Sequence, residues 1–391
     1  MTTPTPTGGP LRGVRVLDMS ALGPGPFCSM LLADFGADVV AVERPEPPSF
    51  DPAKFFSRGK RSTVVDLRAP GGAEVIARLA DRADVFLESY RPGTMERRGL
   101  GPDVLCARNP RLVYARLTGW GQDGPYRNRA GHDINYIGVS GALGVIGAAG
   151  TDEPVPPLAT VGDIAGGSMV CALGIMMALF ERAATGLGQV IDSAIVDGSA
   201  LLNTPQLGAL NAGIWAGRGA HLLSGAAPFY GVYRCSDNGW FAVGAIEPKF
   251  YAQLLAALDI DLPDGALLDD AHLDPAGWGA LRERVAETFA AKPRSHWSNV
   301  FADIDGCGTP VLELEELAQD PHLKARGTIV TEDEQLSAAP APRLSRTPGG
   351  LRPPADCRGA DTGAVLAEAG FGAEEITRLA ATGTVVLGRE V

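Results

Sequence analysis

The chain has 391 residues, of which 45% are hydrophobic and 20% charged, with 50 glycines and 30 prolines. That length supports two bodies, or one large and one small, each with a core of its own. A formal net charge of -12 argues against nonspecific binding to nucleic acid or an anionic membrane, so an anionic ligand needs a local basic patch.

The six cysteines, Cys28, Cys106, Cys171, Cys235, Cys307 and Cys357, are widely scattered. Without a CxxC or a Cys–His cluster they suggest neither a zinc site nor a disulfide framework, and they fit buried thiols in a reducing compartment. The opening MTTPTPTGGP has no basic start and no apolar stretch, so it reads as a frayed polar tail rather than a signal peptide. The longest apolar run, residues 169–180, is shorter than the roughly 20 residues of a spanning helix. A cytoplasmic protein that engages neither nucleic acid nor membrane is the expectation.

Taken in chain order, residues 14–19, 39–42, 63–67, 85–87 and 112–117 are short apolar runs that predict strands buried on both faces. Helical segments at 27–35 and 71–83 lie between them. The alternation predicts a Rossmann-like parallel sheet with crossover helices, a large α/β domain over residues 1–197. Ligands of such folds gather beyond the carboxyl ends of the strands. Those ends carry Gly23-Pro24-Gly25-Pro26, Arg44, Asp66, Tyr90-Arg91 and Gly119-Trp120-Gly121.

Residues 168–182 predict an apolar helix that starts just after Asp163. A long, mostly apolar helix from Asp197 to about Gly219 predicts a linker over residues 198–227. From Pro228 the texture changes. Segments 229–235 and 240–245 alternate like a hairpin around Asp237-Asn238-Gly239, and helical stretches at 248–258 and 281–291 follow. These predict a smaller α+β domain over residues 228–322. A Pro-rich stretch, 339–354, then leads to helical pieces at 363–370 and 374–382, so residues 323–391 read as a linker and a return segment packing on the first domain.

Several residues could carry chemistry. Gly23-Pro24-Gly25 follows the first strand and Glu43 ends the second, an arrangement that suggests a dinucleotide site. Cys28 stands where the third glycine belongs, and Pro24 and Pro26 remove two N–H donors that a pyrophosphate needs, which argues against a nicotinamide cofactor. A basic cluster, Arg44, Arg58, Lys60, Arg61, Arg91, Arg97 and Arg98, falls at the expected ligand edge of an otherwise acidic chain. Such clusters are ordinarily solvated faces, but arginine forks at strand ends suit a phosphate-bearing ligand, and coenzyme A carries three phosphates.

His132 is one of five histidines. A lone histidine is usually structural; Gly131 and Asp133 on either side, with Tyr136 four residues on, single this one out. Asp163 lies in a Gly-rich turn, where it reads either as a helix N-cap or as a functional carboxylate that the amides and dipole keep ionised. Glu247, in Ala245-Ile246-Glu247-Pro248, ends a strand of the smaller domain and is uninformative alone. His272, among Asp269, Asp270 and Asp274, resembles a metal cluster but is read as part of a solvated loop with no role.

Leu11-Arg12-Gly13-Val14-Arg15-Val16-Leu17-Asp18, Ala37-Asp38-Val39-Val40, Gly119-Trp120-Gly121-Gln122-Asp123-Gly124-Pro125, Gly162-Asp163 with Gly166-Gly167, and Gly188-Gln189-Val190-Ile191-Asp192 together resemble the class III CoA-transferase superfamily. The resemblance runs from Leu11 onward and includes the Val365-Leu366 region. Gly131-His132-Asp133-Ile134-Asn135-Tyr136 resembles the α-methylacyl-CoA racemase branch, because the transferases lack a histidine there. Asp163 matches an aspartate that is a covalent nucleophile in the transferases and an acid/base in the racemases. Glu247 matches the glutamate that orients the histidine, and Asp133 a contact to the pantetheine or to His132.

The resemblance implies 1,1-proton transfer at the carbon alpha to a thioester, His132 and Asp163 working on opposite faces of an enolate whose oxygen backbone N–H groups stabilise. It implies coenzyme A contacts at Arg44, Arg58, Val65, Asp66, Leu67, Arg68, Ser89, Tyr90, Arg91, Arg97, Gly131, Tyr136 and Gly162. It further implies no metal, flavin or nicotinamide, coenzyme A being part of the substrate, and an interlocked homodimer in which Glu247 of the partner subunit completes the site. The alternatives are a family CoA-transferase, with Asp163 forming a mixed anhydride, and a non-catalytic coenzyme A-binding protein. Apolar residues around 137–146 suggest a hydrophobic acyl path; branched fatty acyl, sterol side-chain and 2-arylpropionyl groups all remain open.

Overall fold

A computed structural model of the chain describes residues 8–20, 23–46, 52–261, 271–332 and 334–388. The strands are β1 (Arg15–Asp18), β2 (Asp38–Glu43), β3 (Lys60–Val65), β4 (Val85–Glu88), β5 (Val113–Thr118), β6 (Val190–Ala194), β7 (Tyr230–Arg234), β8 (Trp240–Gly244), β9 (Gly308–Val311), β10 (Ile329–Glu332), β11 (Gln335–Ala338) and β12 (Val385–Val386). Seven of them form one sheet in the order β12-β3-β2-β1-β4-β5-β6. Its first six strands in sequence are mutually parallel, and β12 closes one edge antiparallel to β3. The mixed α/β fold with a large parallel core is therefore the one the alternating pattern predicts.

The burial of the strands follows their place in the sheet. β4 and β5 are buried along their whole length, as continuous apolar strands at the centre of a parallel sheet must be. β6 is half-exposed at the opposite edge; its polar Asp192 and Ser193 hide it from a search for apolar runs. One face packs under helices α1 (Pro24–Asp34) and the later apolar helix, through Cys28, Leu32, Val39, Cys171, Ile175 and Ala178. The other packs under α2 (Gly72–Ala80) and the return segment, through Val75, Ile76, Phe86, Tyr114, Val365, Leu366 and Ile376. Helix α3 (Pro102–Arg108) adds Leu105 to that second face.

Beyond α4 (Asp133–Val139) and the single turn α5 (Ala142–Val145), the chain enters a ten-residue π-helix, Thr160–Met169, that runs directly into α6 (Val170–Thr185). The expected turn at 162–167 is thus helical, and the helix is much longer than 168–182. Its 26 residues, Thr160–Thr185, are long and apolar enough to cross a membrane by length and composition, with a mean hydropathy of 1.8 over the most apolar 18 of them, which corrects the reading based on residues 169–180 alone. Cys171, Ile175 and Ala178 are buried, while Met169, Leu173, Met177 and Phe180 are exposed.

The helix expected from Asp197 to about Gly219 is broken. α7 (Ile195–Leu202) stops at Asn203, whose side chain donates to the Ser140 carbonyl at 3.0 Å, and α8 (Thr204–Asn211) restarts with Pro205 in its first turn. Proline has no N–H to continue a helix but fits its first turn. The chain divides there into two compact units, one of Met1–Ala142, Pro157–Asn203 and Ala339–Val391, the other of Leu143–Pro156 and Thr204–Ala338. These limits differ from the expected 1–197, 198–227, 228–322 and 323–391. The segment 143–156 belongs with the second unit, where the Arg218 side chain holds the Gly144 carbonyl at 2.8 Å.

In the second unit β7, β8 and β9 form an antiparallel sheet, with Tyr230 opposite Gly244 and Trp240 opposite Val311. Asn238 sits in the hairpin at φ 66. Helices α9 (Pro248–Ala257), α10 (Trp278–Ala290) and α11 (Arg294–Phe301) cover it, and Phe229, Phe241, Tyr251, Phe289 and Trp297 make the core. At ~25 cal/mol per Å² and ~200 Å² per aromatic side chain, each such ring contributes about 5 kcal/mol before entropy losses. α12 (Pro321–Arg326) follows. The return segment carries α13 (Thr362–Glu368) and α14 (Ala373–Ala381) onto the first unit before β12. The polar tail at 1–7 and the aspartates at 269 and 270 lie outside the described residues.

Candidate active site

Two glycine-dependent contacts build the centre. Gly119 follows β5, and a Cβ there would lie 2.0 Å from the Tyr136 ring. The bare backbone lets that ring lie across the strand end, where Trp120 meets it edge-on at 4.8 Å and its hydroxyl donates to the Gly131 carbonyl at 2.5 Å. The ring thereby fixes the entry to α4. His132 is the residue that begins α4, in extended backbone, its own N–H donating to the Asn135 side chain at 3.0 Å. Its imidazole stands exposed.

The second contact joins α4 to the π-helix. Asp133 is buried, and its Oδ1 accepts the Asp163 backbone N–H at 2.7 Å. A Cβ on Gly162 would fall 2.2 Å from that oxygen, so only glycine admits the bond. Asp133 is thus turned onto the backbone of Asp163 and holds it beside the start of α4. Asp163 itself stands in the first turn of the π-helix, after Leu158 and Ala159 in left-handed backbone at φ 53 and 61. Such helices recur at functional sites because they re-aim a side chain within a rigid element. Ser168 ties the same turn to α1 by donating to the carbonyls of Pro24 at 2.7 Å and Asp163 at 2.8 Å.

The electrostatics correct one expectation. Burial pushes the Asp163 carboxyl up from its ordinary 3.8 to about 6, the Asp133 carboxylate adds to the rise, and His132 opposes it. Desolvation therefore outweighs the helix start that was expected to keep this group firmly ionised. A carboxyl poised near 6 can both take and return a proton near neutrality. Tyr136 is raised as well, first by burial and then by Asp163, with Arg91 acting against both. Arg91 therefore reaches the neighbourhood of the same centre.

Beyond the strand ends of the first unit lies a cleft of about 310 Å³, lined by Met19, Val42, Glu43, Arg44, Pro45, Glu46, Val65, Asp66, Leu67, Arg68, Tyr90 and Arg98. Six of the expected coenzyme A contacts meet here: Arg44, Val65, Asp66, Leu67, Arg68 and Tyr90. Arg68 forks onto Asp66 at the mouth, at 3.1 and 3.3 Å, and Arg98 donates to the Leu67 carbonyl at 2.8 Å. Ser89, Arg91 and Arg97 are on the same loop as Tyr90; Arg97 donates to Thr94 Oγ1 at 3.2 Å. Arg98 was seen in the basic cluster but not picked as a contact; its place three residues from the loop's Met95 anchor in the core is visible only in three dimensions.

The rest of that basic cluster lies elsewhere. Lys60 and Arg61 open β3 opposite Val39 and Val40, at the amino end of the parallel strands, and Arg58 just precedes them. Arg58 forks onto Asp34 at 2.9 and 2.6 Å, Arg61 binds Asp38 and Glu368, and Lys60 is buried against Asp18 at 3.3 Å and the Pro26 carbonyl at 2.8 Å. Arg58 and Arg61 do not crowd the ligand edge, and the Lys60 ammonium, which does reach the carboxyl end of β1, is engaged there by Asp18 and Pro26.

In the second unit, Glu247 caps α9 through its backbone carbonyl and leaves its carboxylate exposed. His272 is buried against Tyr251 and Phe229, its Nε2 2.6 Å from the Ile246 carbonyl, so it is a core residue and not part of a solvated loop. Among the described residues no group of three or more His, Cys, Asp or Glu side chains is placed to hold a metal ion.

Parallel strands, a cleft beyond their carboxyl ends and a carboxyl poised near a histidine place this chain among α/β proteins with a site fit for proton transfer. Residues 11–362 match CoA-transferase family III, and the chain belongs to that family. It is 46% identical over 378 residues to the human protein "Alpha-methylacyl-CoA racemase", covering 94% of this chain and 96% of that one. To the mouse protein of the same name it is 45% identical over 374 residues, again 94% and 96%. A crystal structure of a CAIB/BAIF family protein from Brucella suis superimposes with a TM-score of 0.81 at 28% identity, covering 93% of this chain and 100% of that one.

Proposed function

We propose that this protein racemises 2-methylacyl-CoA thioesters by two-base proton transfer. The observation that carries the reading is the short Asp133–Asp163 bond, which sets the poised Asp163 carboxyl beside the histidine that begins α4. The relatives named as racemases support it at nearly half identity along almost the whole chain. His132 takes the α-proton from one enantiomer as neutral imidazole; the electron pair moves into the thioester as an enolate, and Asp163, carrying a proton, delivers it to the opposite face. In the other direction the roles exchange.

General acid–base help accounts for about 10²–10⁴ in rate, so backbone donors at the enolate oxygen must supply several kcal/mol more. The chemistry needs no resident cofactor, coenzyme A entering with the substrate, its nucleotide end in the cleft between Arg44 and Arg98. Pairing of two copies supports the orientation of His132 by Glu247 of the partner subunit, and the exposed Met169, Leu173, Met177 and Phe180 offer apolar area for that pairing. Six free cysteines fit a reducing, cytoplasmic setting.

The test is α-proton exchange of (R)- and (S)-2-methylacyl-CoA in D₂O, with and without a free carboxylic acid. Deuterium entering with loss of optical purity, indifferent to the acid, is expected. Acid-dependent formation of a new thioester without exchange would instead make Asp163 a transferase nucleophile. His132→Ala is expected to abolish exchange from one enantiomer before the other; equal residual exchange from both would sink the two-base assignment.

A further inference from the structure

At the carboxyl ends of β4 and β5 lies an ionic cluster that the chemistry above does not use. Glu88 and Arg116 are opposite one another in the parallel register and both are buried. Glu88 Oε1 accepts from Arg116 Nε at 2.9 Å, and its Oε2 accepts the Tyr90 backbone N–H at 2.7 Å. Arg116 Nη1 reaches Glu96 Oε1 at 2.8 Å. Tyr114, on the same strand face two residues earlier, donates its hydroxyl to the Leu100 carbonyl at 2.9 Å. The loop from 89 to 100 is thus tied to the sheet at its start, middle and end, and this is the loop that presents Tyr90 and Arg98 to the cleft.

A buried ion pair is weak as a source of stability, because desolvating both partners consumes most of their attraction; an apolar pair of the same volume serves a core as well or better. Burial raises the Glu88 carboxyl to about 6 even with Arg116 against it, so the desolvation cost is large here. Arg116 Nη2 also remains buried without a hydrogen-bond partner among the described residues. What the cluster supplies is direction. A carboxylate with two lone-pair pairs and a planar five-donor fork fix a backbone amide and a second carboxylate at set angles, which leucines could not do.

We propose that Glu88, Arg116 and Glu96 are positioning residues that hold the 89–98 loop in the shape that receives the nucleotide end of coenzyme A. The proposal rests on placing that nucleotide in the Arg44–Arg98 cleft. The group clamps the loop from behind and touches no reacting atom. Its effect therefore belongs to binding of the nucleotide and is absent for a substrate that lacks one.

Racemisation by Glu88→Gln, Glu96→Gln, Arg44→Ala and Arg98→Ala is to be measured with 2-methylacyl-CoA and with the matching 2-methylacyl-pantetheine thioester. Loss of a charge-assisted contact predicts a KM for the CoA thioester raised about tenfold by Glu96→Gln, with kcat unchanged and with kcat/KM for the pantetheine thioester unchanged. Glu88→Gln is expected to do the same more strongly. Should it fail to fold, Glu96→Gln, on a side chain 40% exposed, carries the test alone. Equal loss of kcat on both substrates would reduce the cluster to scaffolding and overturn the proposal. If Arg44→Ala and Arg98→Ala raise the CoA KM while Glu96→Gln and Glu88→Gln leave it within about twofold, the cleft stands and the clamp falls. If the two arginine variants also change nothing, the cleft assignment fails and takes the clamp with it.

Discussion

Asp163 shows how one residue's neighbours decide its chemistry. Spacing alone makes it a turn or cap aspartate, and a helix start favours the charged form. Burial and Asp133 reverse that preference and bring its carboxyl to about 6. The folded protein therefore holds a proton that the unfolded chain releases near 3.8, so stability falls as pH rises from about 4 through about 6, and the cost is fully present above that. Asp163→Asn should remove it: thermal unfolding at pH 7.5 is expected to show a gain of about 1–2 kcal/mol after allowing for partial solvent screening. The gain should vanish below about pH 4, while racemisation is lost. An Asn variant less stable than the parent at pH 7.5 would contradict the assigned cause. The same group predicts an acid limb near pH 6 in kcat/KM for the enantiomer whose proton Asp163 removes.

Among elements, the join between α4 and the π-helix matters most, and it depends on Gly162. Gly162→Ala puts a Cβ where Asp133 Oδ1 now lies, 2.2 Å away, so either the bond or the helix must yield. Overpacking of this kind costs about 1–3 kcal/mol, and a displacement of about 1 Å at a reacting group costs on the order of 10²-fold in rate. Denaturant unfolding and racemisation together should show both losses; an alanine variant with parental kcat would mean that the contact does not place Asp163. The glycines of Gly162-Asp163 and Gly166-Gly167 suggested a loop. They are helical because Gly166 lies against Gly198 and Ser199 of α7, and Gly167 against Ile195 and Pro24, too close for side chains. Local propensity yields to such packing, which no single stretch of sequence displays. β6 escaped detection for a related reason: an edge strand with one wet face carries the polar residues that the central strands exclude.

At the scale of the whole molecule, the exposed face of α6 is an unexplained apolar feature, with Phe180 82% and Met177 60% exposed. The pairing proposed above sets this face against a second copy, with Glu247 of the partner subunit at the site. Phe180→Glu is expected to shift the sedimentation coefficient to that of a monomer and to reduce racemisation at least tenfold, about 1.4 kcal/mol in transition-state terms. A Phe180→Glu protein that stays dimeric and active would remove this face from the assembly. Glu247→Gln, by contrast, should leave the oligomer intact and lower kcat in both directions.

The sequence alone determined the parallel α/β core, the hairpin of the second unit and the identity of the residues gathered at the site, because apolar runs, turn residues and glycine-framed polar residues are each local signals of a global choice. His132, Asp133, Asp163 and Tyr136 could be named without a structure, as could six of the residues that line the cleft. Only the tertiary structure decided which end of each strand a charged residue serves. Arg58 and Arg61 are as basic as Arg44 and close to it in sequence, yet they sit at the start of β3 while Arg44 follows β2, and in a parallel sheet those are opposite edges. It also decided that Glu88 and Arg116, two ordinary residues near the ends of buried strands, meet beside the loop that carries Tyr90 and Arg98. Pairing across a sheet joins residues 28 apart in sequence, and neither periodicity nor spacing along the chain carries that information.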